Sequence, residues 1–291
     1  MNRISRFATP IVLAFLLTPG MRASGQVDQL APPSLMSVWR ARRFLASDPR
    51  QLHMNYHFDE ESFTFGIHFP PDKLNLLTVD LKTLDPVAVT CSRSGGKYRW
   101  FNCELEYKDG RPLPWPKTKG RVAPYEDMPP VKELFFLTIP PESQAGNLDE
   151  EPVIRYYAEA FAAAINHLRE YALNPSSPLR NFKQLAAAWR VLNPKPPVPE
   201  EVRVQRLLAE NAVKEKKLNI ALVHYETGLE LYPTWPQGYF NAALIAAELE
   251  FYADAIEHMQ SYLELVPDAP DAQAARDQII IWRDKRDTPS K

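Results

Sequence analysis

The sequence predicts an α+β protein, in which an N-terminal antiparallel β barrel or sandwich closed by a helix precedes an all-α array of helical repeats. Three observations lead to this prediction. Apolar and polar residues alternate through several short segments between residues 52 and 139, which is typical of half-buried strands. Apolar residues then recur at helical spacing over residues 151–173. Finally, residues 201–268 repeat themselves after a shift of 34 positions.

Composition limits the function classes. The chain has 291 residues, 45% of them hydrophobic, and a formal net charge of −2, which is ordinary globular material for about two domains. It has no basic excess, so we expect no nucleic-acid partner. It also lacks a glycine-rich phosphate loop, a nucleophile elbow and a metalloprotease motif. We therefore expect a protein that is not an enzyme and has no cofactor.

Residues 1–25 are typical of an export signal. Arg3 and Arg6 give a positive start, and residues 11–17 form an apolar centre too short for the roughly 20 residues that span a bilayer. Small residues at positions 23–25 provide a cleavage site before Gln26. We expect an exported protein, periplasmic or secreted, with no integral membrane segment after cleavage.

The β-rich domain is predicted over residues 49–175, after a lead segment at residues 26–48 that contains a helix from Leu35 to Ala46. Predicted strands cover residues 52–58, 63–69, 76–80, 87–91, 97–107 and 132–139. Phe161, Ile165 and Leu168 belong to the apolar stripe of the helix at residues 151–173, which is expected to close one end of the barrel. A run of strands followed by one helix resembles the pleckstrin-homology arrangement. A plain α+β domain is the alternative.

The two cysteines, Cys91 and Cys103, lie on alternating positions of neighbouring predicted strands. If Val89 pairs with Leu105, Cys91 falls directly opposite Cys103 and a disulfide can form, as an exported protein permits. Two buried thiols are the alternative.

Histidines provide the weakest site prediction. Pairing Phe58 with Phe63 across the turn at residues 59–62 would place His53 opposite His68, close enough to share a metal ion. No carboxylate or cysteine of suitable spacing completes the ligand set. A solvated sheet face is the favoured interpretation, and no metal site is predicted.

The repeats occupy residues 200–287 as two units and a capping helix. A shift of 34 residues places small residues and a closing proline on their equivalents: Ala209 on Ala243, Ala212 on Ala246, Ala221 on Ala255 and Pro233 on Pro267. Together with the apolar residues Tyr225 and Met259, these positions resemble the tetratricopeptide repeat family. The resemblance implies stacked helix pairs that mediate protein–protein interaction.

Two helices are expected to flank the repeats. One, in the connecting segment at residues 176–199, is predicted to pack on the first repeat through Phe182 and Trp189. The other, at residues 271–285, is predicted to cap the far end with Ile279, Ile280 and Trp282 turned inward.

The resemblance also implies a groove lined by the first helix of each unit. The matching positions are Arg203, Arg206, Glu210, Val213, Gln237, Phe240, Asn241, Leu244 and Glu248. Asp271 and Ala275 fall where members that clamp a C-terminal carboxylate carry basic residues on a third helix. The groove therefore better suits a peptide with apolar and acidic side chains. Contact with the chain's own first domain is the alternative.

The expected function is that of a non-enzymatic exported tetratricopeptide adaptor, which binds another protein or peptide in the cell envelope. One alternative is a ligand- or metal-binding module that uses the β domain, with the repeats as structural support. An enzyme with an unrecognised site in the first domain is a third class.

Overall fold

The computed structural model describes residues 31–46, 57–58, 62–69, 73–93, 99–104, 133–137 and 151–288. The chain divides into two compact units. One contains Met1–Asp28 and Ala41–Leu173, and the other contains Gln29–Arg40 and Asn174–Lys291. The predicted export signal, residues 1–25, lies outside the described residues.

The strands described in the first unit form two antiparallel sheets of three strands each. Their bounds are His57–Phe58 (β1), Ser62–Phe69 (β2), Lys73–Asp80 (β3), Ala88–Arg93 (β4), Arg99–Glu104 (β5) and Glu133–Leu137 (β6). The strand order is β1-β2-β3 in one sheet and β4-β5-β6 in the other. Phe58 pairs with Phe63, as predicted.

The predicted barrel or sandwich closed by a helix is wrong, and the pleckstrin-homology resemblance falls with it. Among the described strands, none of β1–β3 pairs with any of β4–β6, so the sheets stay separate and do not close. Helices, not strands, account for most of the described residues. Alternation of apolar and polar residues identifies single strands, but it carries no information about which strand edges meet.

The long helix of the first unit, Glu151–Leu173 (α2), has the predicted bounds but a different role. It packs against all three strands of the β4-β5-β6 sheet instead of closing a barrel. The side-chain amide of Asn166 holds it in place, because its Nδ2 donates to the Val87 carbonyl (2.9 Å) and its Oδ1 accepts from the Val87 amide (2.7 Å). Phe161, Ile165 and Leu168 are buried.

The pairing of β4 with β5 corrects the argument for a disulfide. Cys91 lies opposite Phe101, and Cys103 lies opposite Val89, two positions away from the predicted register. The cysteines therefore do not face each other directly, and the disulfide remains a prediction without that support.

The second unit is built from helices. Their bounds are Phe182–Val191 (α3), Glu200–Lys214 (α4), Leu218–Leu231 (α5), Pro236–Glu248 (α6), Tyr252–Leu265 (α7) and Ala272–Asp287 (α8). Successive helices from α4 to α8 pack against each other, an arrangement of helix pairs compatible with helical repeats. A further helix, Val38–Ala46 (α1), begins three residues later than predicted, and its first residues belong to this unit.

The 34-residue step is present in the backbone of the second unit. The turn between α4 and α5 and the turn between α6 and α7 have a left-handed residue at equivalent positions, Lys216 (φ 59°) and Glu250 (φ 62°). Equivalent hydrogen bonds close the two turns: Lys217 N to Ala212 O (2.9 Å), and Phe251 N to Ala246 O (2.8 Å). The paired small and apolar positions are buried in both helix pairs of the repeat: Ala209 and Ala243, Ala212 and Ala246, Ala221 and Ala255, Tyr225 and Met259.

Two predictions about the flanking helices are wrong in detail. α3 packs chiefly against α7 of the second helix pair, with Phe182 edge-on to Tyr239 of α6 at 5.3 Å between ring centroids, whereas the first pair was predicted. In α8, Ile279 and Trp282 are buried as expected, but Ile280 is 64% exposed.

Candidate functional site

The residues predicted to line a groove lie on the exposed faces of α4 and α6. Arg203, Arg206, Glu210, Val213, Gln237, Leu244 and Glu248 are exposed, whereas Phe240 and Asn241 are half-buried. Two apolar side chains reach solvent here, since Val213 is 40% and Leu244 is 44% exposed. Whether this face binds a peptide remains a prediction.

The hydroxyl of Tyr225, on α5, is hydrogen-bonded to one of the two lining helices. Asn241 of α6 donates from Nδ2 to the Tyr225 oxygen at 3.1 Å. Burial raises the pKa of Tyr225, and the Glu210 carboxylate adds to the increase, whereas the Asn241 hydrogen bond and the Arg206 charge oppose it. The Trp235 ring lies beside that of Tyr225, with 5.8 Å between the ring centroids.

Phe240 connects the face to the third helix. Its ring lies edge-on to Tyr262 at 5.1 Å between centroids, and the Tyr262 hydroxyl donates to Asp271 Oδ1 at 2.6 Å. Burial, helped by Asp271, raises the pKa of Tyr262 to about 12. Asp271 therefore binds a buried phenol at the start of α8 and does not line the face as predicted.

The register of α8 differs from that of α6 by more than the sequence repeat suggests. The buried residues of α8 (Ala272, Ala275, Ile279, Trp282) fall on buried positions of α6 after a step of 36 residues, not 34. Ala275 is thus part of the core, which corrects its predicted lining role. The α8 positions that match the predicted face are exposed: Gln273, Arg276, Asp277, Ile280 and Asp284.

Corrected in this way, the face contains two rows of equivalent positions across α4, α6 and α8. One row is Arg206, Phe240 and Arg276, and the other is Glu210, Leu244 and Ile280. Sequence analysis missed Arg276 and Ile280, although the spacing of Ala275, Ile279 and Trp282 carries the two-residue shift.

A second arrangement, on other helices, was not predicted. Residues 31–40, here called the docking segment, make hydrogen bonds to α5 and α7. Ser37 Oγ donates to Glu226 Oε2, the Val38 amide donates to Glu230 Oε1, and Trp39 Nε1 donates to Glu257 Oε1, each at 2.8 Å. The only sequence signals were a helix-capping serine and a tryptophan two residues later, and neither identifies its acceptor.

The centre of this contact contains two fully buried ionisable groups. Glu226 and His258 are both 0% exposed, with His258 Nε2 3.4 Å from Glu226 Oε1. The Trp39 ring covers the imidazole at 4.8 Å between centroids. His224, one repeat step before His258, has a different environment, because it is half-buried and its Nδ1 lies 2.8 Å from Gln205 Oε1. The two histidines therefore occupy equivalent positions of the repeat but have different contacts.

The metal and membrane predictions concern other parts of the chain. Within the described residues, no group of three or more His, Cys, Asp or Glu side chains could hold a metal ion. His53 lies outside those residues, and His68 pairs with Leu74 in the first sheet. In the part of the chain that the structure describes, no helix has both the length and the apolar character needed to cross a bilayer.

No family model matches the chain, and no curated protein matches it.

Proposed function

We propose that the chain is a non-enzymatic adaptor of the tetratricopeptide kind, which binds a partner peptide on the face formed by α4, α6 and α8. The observation that carries the proposal is the pair of rows on that face. Phe240 lies between Arg206 and Arg276 in one row, and the other row exposes Leu244 and Ile280.

This chemistry favours a peptide with apolar and acidic side chains. Arg206 Nε lies 3.7 Å from Glu210 Oε1 in an exposed ion pair. Such a pair contributes little to stability, so an incoming carboxylate can replace Glu210 at small cost. Arg276 donates to the Pro267 carbonyl at 3.0 Å, and its guanidinium has further donors. Exposed apolar groups between these cations gain free energy when a peptide removes them from water.

Selection from a random peptide library with the full chain tests the proposal. We expect enriched peptides to combine apolar and acidic residues, and expect the double variant Arg206→Ala, Leu244→Ala to lose them. The matched control, Lys183→Ala with Leu231→Ala, removes one cation and one apolar side chain that are also exposed but lie on other helices. Equal enrichment by both double variants would exclude this face as the peptide site.

We also propose that the adaptor acts outside the cytoplasm, as a periplasmic or secreted protein. The support is the arrangement of charged, apolar and small residues over positions 1–25. Mass spectrometry of the mature protein from its native source is expected to give a chain that starts at Gln26. An N-terminus at Met1 would contradict export by this signal.

A further inference from the structure

The face of α5 and α7 has features of a peptide-recognition site. It presents three glutamates to the docking segment, and each accepts one hydrogen bond from a different residue of it. The contacts join residues 189 to 218 positions apart in sequence, so the docking segment is bound as a separate peptide would be. None of the residues predicted for the groove takes part in these hydrogen bonds.

What this face recognises is the start of a helix with the sequence Ser-x-Trp. The first amide groups of a helix lack partners within the helix and carry partial positive charge. Glu230 accepts from the first of these, the Val38 amide. Ser37 caps the same helix by accepting from the Arg40 amide at 3.0 Å, and its hydroxyl proton points to Glu226.

The tryptophan gives the contact its apolar part. Trp39 is 4% exposed and lies edge-on to Tyr239 at 6.4 Å between ring centroids. Its indole nitrogen reaches Glu257, so the ring position is fixed at both its apolar body and its polar edge. A buried aromatic anchor with satisfied polar groups around it is the usual centre of a specific protein interface.

The docking segment organises its own bound shape. The guanidinium of Arg40 donates to the carbonyls of Ala31, Pro32 and Leu35, and the Leu35 amide donates to the Pro32 carbonyl at 3.0 Å. A segment that is ordered by its own side chain loses less entropy when it binds, whichever molecule supplies it.

We propose that the α5–α7 face is a recognition site for a Ser-x-Trp helix start, and that a second copy of this chain supplies its docking segment to that face when the resident segment is displaced. In such a pair, each copy of the chain supplies its docking segment to the α5–α7 face of the other copy. The resident segment has the advantage of an effective concentration on the order of millimolar, so the wild-type chain is expected to be monomeric in dilute solution.

Mixing two full-length variants tests this exchange. One variant, Ser37→Ala with Trp39→Ala, has an intact face and a disabled docking segment. The other, Glu257→Lys, has an intact docking segment and a disabled face. Native mass spectrometry is expected to show a 1:1 heterodimer in the mixture and monomers in each separate sample. Monomers in the mixture, with both variants melting cooperatively, would overturn the proposal.

A peptide of residues 31–46 covers the case in which the first variant does not fold alone. Added in excess, this peptide is expected to restore cooperative melting of the Ser37→Ala, Trp39→Ala chain. A peptide of the same length with Trp39→Ala is the control. Its affinity is expected to be lower by a factor of about ten or more, because it lacks the aromatic anchor. Equal effects of the two peptides, or no effect of either, would show that the face does not recognise this helix start.

Discussion

At the residue scale, the turns between paired helices show how the repeat is set by single backbone positions. Lys216 and Glu250 adopt left-handed backbone, which costs an L-residue with a Cβ roughly 1–2 kcal/mol. Both side chains are exposed, so they offset little of this cost through packing. Glycine is the residue that helices prefer at such a position.

Replacing these residues with glycine is therefore expected to stabilise the protein. We expect Lys216→Gly and Glu250→Gly each to raise the free energy of unfolding by about 0.5–1 kcal/mol, measured by urea denaturation. Lys216→Ala is the control and is expected to bring no gain, because alanine keeps the Cβ. A loss of stability in both glycine variants would contradict the strain assigned to these turns.

Glycine has the opposite role at the start of α6. A Cβ on Gly238 would lie 2.3 Å from Trp235 Cε3, and Trp235 is buried against Tyr225. Gly238→Ala is expected to lower the free energy of unfolding by about 1–3 kcal/mol, although alanine is the better helix former. Calorimetry of Gly238→Ala alone and combined with Trp235→Phe checks this, since the smaller ring should recover part of the loss. A stabilised single variant would show that the ring is free to move.

Burial also predicts a pH effect at His224. Desolvation lowers the pKa of its imidazole below the ordinary value of 6.5, so the unfolded chain binds more protons than the folded chain in this range. The contribution of His224 to stability is therefore present above pH 6.5 and is lost as the pH falls through the folded pKa. Between about pH 7.5 and pH 5, His224→Gln is expected to lose less stability in urea than wild type. The same pH dependence in both proteins would contradict this assignment.

At the element scale, α1 depends on a helix far along the sequence. The amide that begins α1 donates to Glu230. Proline has no amide proton, but it is tolerated at the first position of a helix because the amide there has no acceptor within the helix. Val38→Pro therefore removes this hydrogen bond, together with the packing of the buried valine side chain, while leaving the helix start intact.

We expect Val38→Pro to lower the free energy of unfolding by about 1–3 kcal/mol, because the part-buried Glu230 carboxylate loses a donor. Chemical denaturation of Val38→Pro, Glu230→Ala and the double variant forms a cycle. The proline is expected to cost less in the Glu230→Ala background, where only the lost packing of the buried valine remains. Full additivity would mean that the hydrogen bond contributes nothing.

The sequence was sufficient for elements whose contacts are local. The 34-residue step predicted α4 to α7 and their buried alanines, because neighbouring helices in such an array contact through fixed positions. It failed at α8, where the core positions shift by two residues, and it placed Ile280 inside when it is exposed. The predicted strands included the pairing of Phe58 with Phe63 but not the division into two sheets, because pairing depends on edges that no single strand specifies. The contacts of the docking segment could not be predicted either, because Ser37 donates to an acceptor 189 residues away in the sequence.

At the scale of the whole molecule, the two helix pairs depend on parts of the second unit outside them. Trp39 from the docking segment, Ala186 from α3, and Ile279 and Trp282 from α8 belong to the same apolar core as the repeats. A fragment of residues 201–268 lacks all of them and would expose their contact surfaces to water.

We therefore expect the fragment of residues 201–268 to unfold at a lower temperature than the full chain and with less cooperativity. Circular dichroism of this fragment, of residues 174–288 and of the full chain is expected to show increasing stability in that order. The difference in stability between residues 174–288 and the full chain includes the contribution of the docking segment, which the fragment lacks. A cooperative melt of the shortest fragment near the temperature of the full chain would show that the pairs are sufficient alone.

The long separation between Ser37 and Glu226 also determines when the second unit is completed. A ribosome releases the docking segment early, whereas the glutamates that accept its hydrogen bonds are synthesised many residues later. The second unit is therefore complete only after α7 has been synthesised, because Trp39 has its hydrogen-bond acceptor, Glu257, on that helix.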